Sequence, residues 1–250
     1  MDAAQTPYEP AWWGTELPGV RPRAGTYGRY DYIPMPAPTG VTFDGNFDWL
    51  RREPVLRESF FEADRNDIRE SFPKLSQFCA DHGIALPQPF VTFFSDLDLA
   101  KRIRSCTACF LDPATEPVAS PKGDGSIVRF LSDQQGCLFW YLYLPTGITD
   151  HCVLCSTDYF ATDAEEAFDK PPDPNSLVFA APSFESFLFR FWLENECWYG
   201  GHGRGDSVSA NAQKYLREYG WPGESKQEES TTTKPQRKAK RNWWQRIFSL

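Results

Sequence analysis

The sequence holds only three histidines (His82, His151, His202), and none stands near a Gly-x-Ser-x-Gly elbow, so nucleophilic catalysis has no recognisable seat. A phosphate loop is also missing: residues 200–205 (GGHGRG) lack the following Lys-Ser/Thr and come after a helix-like stretch rather than a strand. No run approaches the roughly 18 apolar residues of a membrane span. The opening MDAAQTPYEP has neither a basic n-region nor an apolar h-region, so no export signal is read there. Seven cysteines, an odd number without that signal, suit reduced thiols, and the cytoplasm is the expected compartment.

Basic charge is scarce outside the C-terminus. Residues 234–250 hold six basic residues and no acid, which leaves 20 basic and 34 acidic residues, a balance of −14, in residues 1–233. That acidic body argues against nucleic-acid binding and suits a basic protein partner. At 250 residues the chain is long enough for one full core plus arms and tails.

The stretch that organises the rest is residues 127–156. Within it, residues 137–144 are uniformly apolar or aromatic and read as the central strand of a covered sheet. Alternation sends Leu138, Trp140, Leu142 and Leu144 to one face and Cys137, Phe139, Tyr141 and Tyr143 to the other. The even face should meet helices over 64–82 and 184–198. The odd, aromatic face is either packed under the N-terminal arm or used by a partner, and with Asp133 in the preceding turn it is a candidate binding surface.

Residues 1–42 carry seven prolines and six Trp or Tyr, which predicts an extended arm whose rings pack on the body. A helical region follows from 43. Ile68, Phe72, Leu75 and Cys79 mark a helix over 64–82, capped by Asp64 or Asn66 and ended by Gly83, with a kink or restart expected at Pro73. A short helix over 88–95 turns Phe90, Phe93 and Phe94 inward. Strands are then expected at 106–111, 126–131, 137–144, 151–156 and 177–181 as an antiparallel meander. Ser183 should open, through a capping box, a nearly all-apolar helix over 184–198, and a last helix spans 208–219. The expected fold is α+β: a mainly antiparallel sheet of four to six strands with helices packed on one side.

Two C-x-x-C pairs, Cys106/Cys109 and Cys152/Cys155, raise the possibility of zinc or thiol chemistry. Both lie in strand-like sequence, where positions i and i+3 point to opposite faces, so one metal cannot take both sulfurs of a pair. They are read as buried structural thiols, and no metal, cofactor or catalytic residue is expected. The acidic loop over 157–175 departs from EF-hand spacing and is read as solvated. Arg204-Gly205-Asp206 is a chance tripeptide.

The order of elements resembles the SUKH superfamily, which includes a yeast regulator of cell-wall synthesis and many bacterial immunity proteins. The resemblance rests on residues 84–94 (IALPQPFVTFF), on Arg129-Phe130-Leu131-Ser132-Asp133 with Trp140, and on Ser183-Phe184-Glu185-Ser186-Phe187-Leu188, and covers roughly residues 44–200. The chain departs from the pattern at Pro73 and at Ser95-Asp96-Leu97-Asp98. The resemblance implies a non-enzymatic protein-binding domain that neutralises a toxin by direct contact. Glu165 and Glu166 in the acidic loop would then dock a basic toxin domain by charge steering.

Four segments follow: an arm (1–42), the α+β domain (43–200), a C-terminal helix (201–222) and a polar linker with a tail (223–250). In the tail, Lys238, Lys240 and Arg241 precede Trp243, Trp244, Ile247 and Phe248. Basic residues beside interfacial rings suit weak contact with an anionic membrane surface, or with a partner, which is the alternative reading as a membrane-recruited regulatory adaptor.

Overall fold

The computed structural model describes residues 1–17, 21, 25–56, 65–162, 171–201 and 209–218. Its centre is an antiparallel sheet of six strands: β3 (Phe110–Leu111), β4 (Val118–Ala119), β5 (Gly125–Ser132), β6 (Phe139–Pro145), β7 (Cys152–Ser156) and β8 (Val178–Ala181). The order is β3-β5-β6-β7-β8, and β4 pairs with β5 beside β3. The expected meander is therefore present, and α+β is the observed class.

β6 begins two residues later than expected. Asp133 is the reason: its main-chain N–H donates to Leu138 O (2.9 Å), and its carboxylate accepts the Gln135 and Cys137 N–H groups at 2.9 and 3.3 Å. With Gly136 at φ +65° this closes the β5–β6 turn and leaves Cys137 exposed in it rather than on the sheet. The first cysteine pair is also corrected. β3 holds only Phe110 and Leu111, and Cys106 sits in a turn in which Ala108 takes φ +56°.

The even face of β6 lies in the larger core with the helices: α1 (Asp48–Arg51), α2 (Arg65–Asp81), α3 (Gln88–Ser95), α4 (Phe184–Gly201) and α5 (Ala210–Glu218). Trp140 packs on Phe187 and Phe191 of α4, with ring centroids 6.1 Å apart in each case. α3 wedges Phe90 against Phe130 and Phe184, and α2 joins through Phe72, stacked on Phe94 at 5.3 Å. Pro73 does not interrupt α2, which runs unbroken to Asp81. The end of α2 is closed by Gly83 at φ +68°, with Ile84 N–H donating to Cys79 O at 2.8 Å. α4 opens on a reciprocal box in which Ser183 and Ser186 each accept the other's main-chain N–H at 3.2 Å, so serine takes the place of the usual Glu or Gln.

The arm is more structured than an extended strap. β1 (Ala11–Gly14) and β2 (Gly28–Asp31) form a two-stranded antiparallel sheet, and Phe179 N–H of β8 donates to Glu9 O at 2.9 Å. Tyr8 belongs to the core on one sheet face, and Trp12 to the core on the other. The arm thus straddles the β8 edge and covers strand groups that would otherwise be open to another chain. A buried ionic knot fastens it. Arg21 grips Glu194 of α4 with two bonds, at 3.0 and 2.6 Å, and the guanidinium of Arg190 lies 3.8 Å over the Trp12 ring. Burial works to raise the pKa of Glu194, but Arg21 and Arg190 outweigh it and hold the carboxyl below its ordinary value.

Candidate functional site

The odd face of β6 is the second core. Phe139, Tyr141 and Tyr143 are 6%, 0% and 3% exposed, so they are not a free partner surface, and that expectation is corrected. What covers them is divided. Tyr8 of the arm meets Tyr143 edge-on at 5.4 Å, and the segment after β7 covers the rest: Tyr159 packs on Phe139 (5.2 Å) and Phe160 on Tyr141 (5.9 Å). Tyr141 Oη donates to Asp158 O at 3.2 Å and accepts Phe160 N–H at 2.9 Å, which pins that segment onto the sheet. Asp133 is likewise internal, accepting Tyr27 Oη–H at 3.0 Å beside its turn contacts. Glu165, Glu166 and the tail residues Lys238 to Phe248 lie outside the described residues.

The pinned segment forms one wall of a groove of about 310 Å³. The opposite wall is the β3–β4 connection from Asp112 to Glu116, Ser71 of α2 closes one side, and Arg129 of β5 lines the floor. Arg129 pairs with Tyr141 across β5–β6, so it projects from the same sheet face as the aromatic row. Asp112 accepts its Nε–H at 2.7 Å and its Nη2–H at 3.3 Å, and accepts Ser132 Oγ–H at 2.6 Å. The Tyr159 ring lies 4.5 Å from the guanidinium carbon. The Arg129 side chain is 10% exposed, and Nη1 has no protein acceptor among the described residues. Nη1 is closed off from solvent, and a buried guanidinium N–H without an acceptor costs about 1–3 kcal/mol. Glu116 on the wall is half-buried and has no cationic partner among the described residues. Among the described lining residues one guanidinium stands with two carboxylates, Asp112 and Glu116, so their charge is net negative.

A larger groove of about 560 Å³ lies between α2 and the segment after α3. Two of its lining carboxylates are already paired internally, Asp96 with Arg51 at 2.6 Å and Asp98 with Lys101 at 2.5 Å.

The cysteines do not converge. Cys152 and Cys155 of β7 lie in opposite cores, as alternation requires, and burial pushes each thiol up to about 12. Burial likewise raises Cys106 to about 12 and Cys109 to about 11, which disfavours the thiolate needed for redox chemistry or metal ligation. Among the described residues no three His, Cys, Asp or Glu side chains are grouped to hold a metal ion, and no helix is long and apolar enough to cross a membrane. His151 is structural: its Nε2 accepts Phe184 N–H at 3.0 Å and caps α4.

Sequence reasoning passed over Asp112, Glu116 and Tyr159, and quoted Arg129 only within a strand motif. One signal was available: Arg129 is the lone charge in the apolar run Ile127–Leu131, at an odd-face position. Comparison of the chain with protein-family models, with curated proteins and with solved structures returns no match.

Proposed function

We propose that this chain is a non-enzymatic domain that binds another protein by direct contact at the Arg129 groove. The observation that carries the reading is an open groove whose described lining is net negative and is held in place by the Arg129 guanidinium between Asp112 and Tyr159. A groove fixed that way suits recognition, because its geometry is set before the partner arrives. The acidic body and the acidic segment that follows Thr162 in sequence favour a basic partner. Taken with the resemblance to SUKH domains, the most concrete form of the proposal is an immunity protein that neutralises a basic toxin in the cytoplasm.

The test uses the product of the reading frame next to this gene, produced with and without this chain. Rescue of growth together with a stable complex by calorimetry supports the proposal. Charge reversal at Glu165 and Glu166 should then slow association. A neighbouring product that neither binds nor harms the cell overturns the toxin reading.

A second reading, recruitment to a membrane as a regulatory adaptor, rests on the tail, where six basic residues and no acid accompany Trp243, Trp244, Ile247 and Phe248.

A further inference from the structure

The amino group of Met1 is held at a site of its own, away from the groove. Three oxygens of the chain surround the nitrogen: Asp150 Oδ2 at 2.9 Å, Pro182 O at 3.0 Å and His151 O at 3.3 Å. We propose that this pocket reads the chemical state of the Met1 α-amine. It holds the free ammonium and rejects an Nα-acyl group, so that acylation by an acyl thioester releases residues 1–6 from the body.

Three observations combine. First, donors and acceptors match in number. An ammonium offers three N–H groups and the pocket offers three oxygens, whereas an acylated nitrogen keeps one N–H and no charge. Water can answer Asp150, which is 51% exposed, so the two main-chain carbonyls carry most of the discrimination. Second, the end is tied down. The Met1 side chain is 5% exposed, and Met1 and Ala3 pack at the border of the second core. An acyl carbon bonded at about 1.33 Å would replace one of the hydrogens and press into the oxygen that the hydrogen now faces. Third, the acceptors come from two segments, the β6–β7 connection and the residue pair that precedes α4. Those segments are joined a second time by Phe184 N–H donating to His151 Nε2 at 3.0 Å. Loss of the ammonium is therefore felt at the start of α4.

In the acylation step the neutral amine attacks the thioester carbonyl. The N–C bond forms as the C–S bond breaks, and the amine proton goes to the departing thiolate. A docked ammonium has no lone pair to offer, so docking and acylation exclude each other and the acyl group is added before the segment docks.

The test has two arms. The full chain with a free amine is labelled with limiting N-hydroxysuccinimidyl acetate, and acetylation at Met1 is read by mass spectrometry of the N-terminal fragment. It should be at least about tenfold slower than in a peptide of residues 1–8, the size of one charge-assisted bond. Labelling as fast as in the peptide overturns the proposal. In the second arm the chain is acetylated at Met1 during synthesis, by co-expression with an Nα-acetyltransferase, and compared with the free form by amide exchange. Gln5 and Thr6, whose N–H groups donate to Asp2 O and Ala3 O, should exchange about tenfold faster, and Phe184 should follow, while Tyr141 and Leu142 keep their protection. Asp150→Asn retains both carbonyls and should give a smaller change. Identical exchange in the acetylated and free chains overturns the proposal, and a rise that includes Tyr141 and Leu142 overturns the local release.

Discussion

Asp112 and Arg129 meet side-on where the β3–β4 connection leaves the sheet, with Arg129 Nε–H donating to Asp112 Oδ2 at 2.7 Å while Ser132 Oγ–H donates to the same oxygen. The contact fixes the guanidinium plane, and with it the direction of the nitrogen left over. Asp112→Asn keeps the shape and removes the charge, so Arg129 becomes a nearly buried cation with a weaker partner. Because Asp112 is 28% exposed, the cost should lie between a surface and a buried pair, about 1–2 kcal/mol in urea unfolding. Stability within experimental error of the unaltered protein would show that the ion pair holds nothing in place.

The elements whose side chains alternate or recur in one step were readable from sequence. The helix Gln88–Ser95 follows from Pro89 and three inward Phe residues, and β7 from its apolar run between turns. The layout of the second core was not, because its cover comes from two distant segments, Tyr8 and Tyr159-Phe160, whose meeting over Phe139, Tyr141 and Tyr143 no local period encodes. The groove was hidden for the same reason: Asp112, Arg129 and Tyr159 are brought together by β-sheet register, not by spacing. Even the cysteine turn escaped, since Ala108 at positive φ carries no glycine to announce it.

Two glycines separate strain from crowding. Gly147 takes φ +72° in open space, so Gly147→Ala should cost only the backbone term, about 1 kcal/mol. Gly125 takes φ +129°, and a Cβ there would meet Leu144 O and stand 2.7 Å from Pro145 Cα, both main chain. Gly125→Ala must therefore push β5 from β6 as well, and its melting temperature should fall well below that of Gly147→Ala. Equal melting points for the two would mean that the β5–β6 end yields freely.

The arm's anchorage is tested at Glu194. Glu194→Gln leaves Arg21 and Arg190 buried without their shared carboxylate, and loss of one partner from such a pair costs about 3–5 kcal/mol. Local release should precede global unfolding, so amide exchange in β1 and β2 should quicken at denaturant concentrations that leave β6 protected. Exchange that rises uniformly would mean that the arm and the sheet unfold as one unit.

The tail is expected to act independently of the fold. Truncation after Gly223 removes Lys238, Lys240, Arg241, Trp243, Trp244, Ile247 and Phe248. The melting temperature should not move, while co-sedimentation with vesicles rich in phosphatidylserine should fall to that of neutral vesicles, and salt should have the same effect on the full chain. Full-chain binding that is indifferent to lipid charge would remove the membrane reading.

His151 gives the fold a pH dependence of known sign. Burial pushes its pKa down from 6.5 to about 4, aided by the Met1 ammonium and opposed by Asp150. The neutral ring is required, because Nε2 must stay unprotonated to accept Phe184 N–H at the start of α4. Between pH 6.5 and 4 the unfolded chain therefore holds the proton that the folded chain refuses. Stability should be level above about pH 7 and should fall as pH drops through that window. The upper limit is set by about 1.4 kcal/mol for each pH unit. Glu194 and Asp150, both held below their ordinary values, lose their own contributions only as pH falls through the carboxylate range, while Asp133, Glu185 and Glu53, raised chiefly by burial, favour the folded state as pH falls, so a loss between pH 6.5 and 5 belongs to His151. His151→Gln offers a side-chain oxygen to the same N–H without a titrating group. Urea midpoints taken from pH 7.5 to 5 should fall less steeply for His151→Gln than for the unaltered chain, or not fall at all. Parallel slopes in the two proteins would assign the dependence to another group.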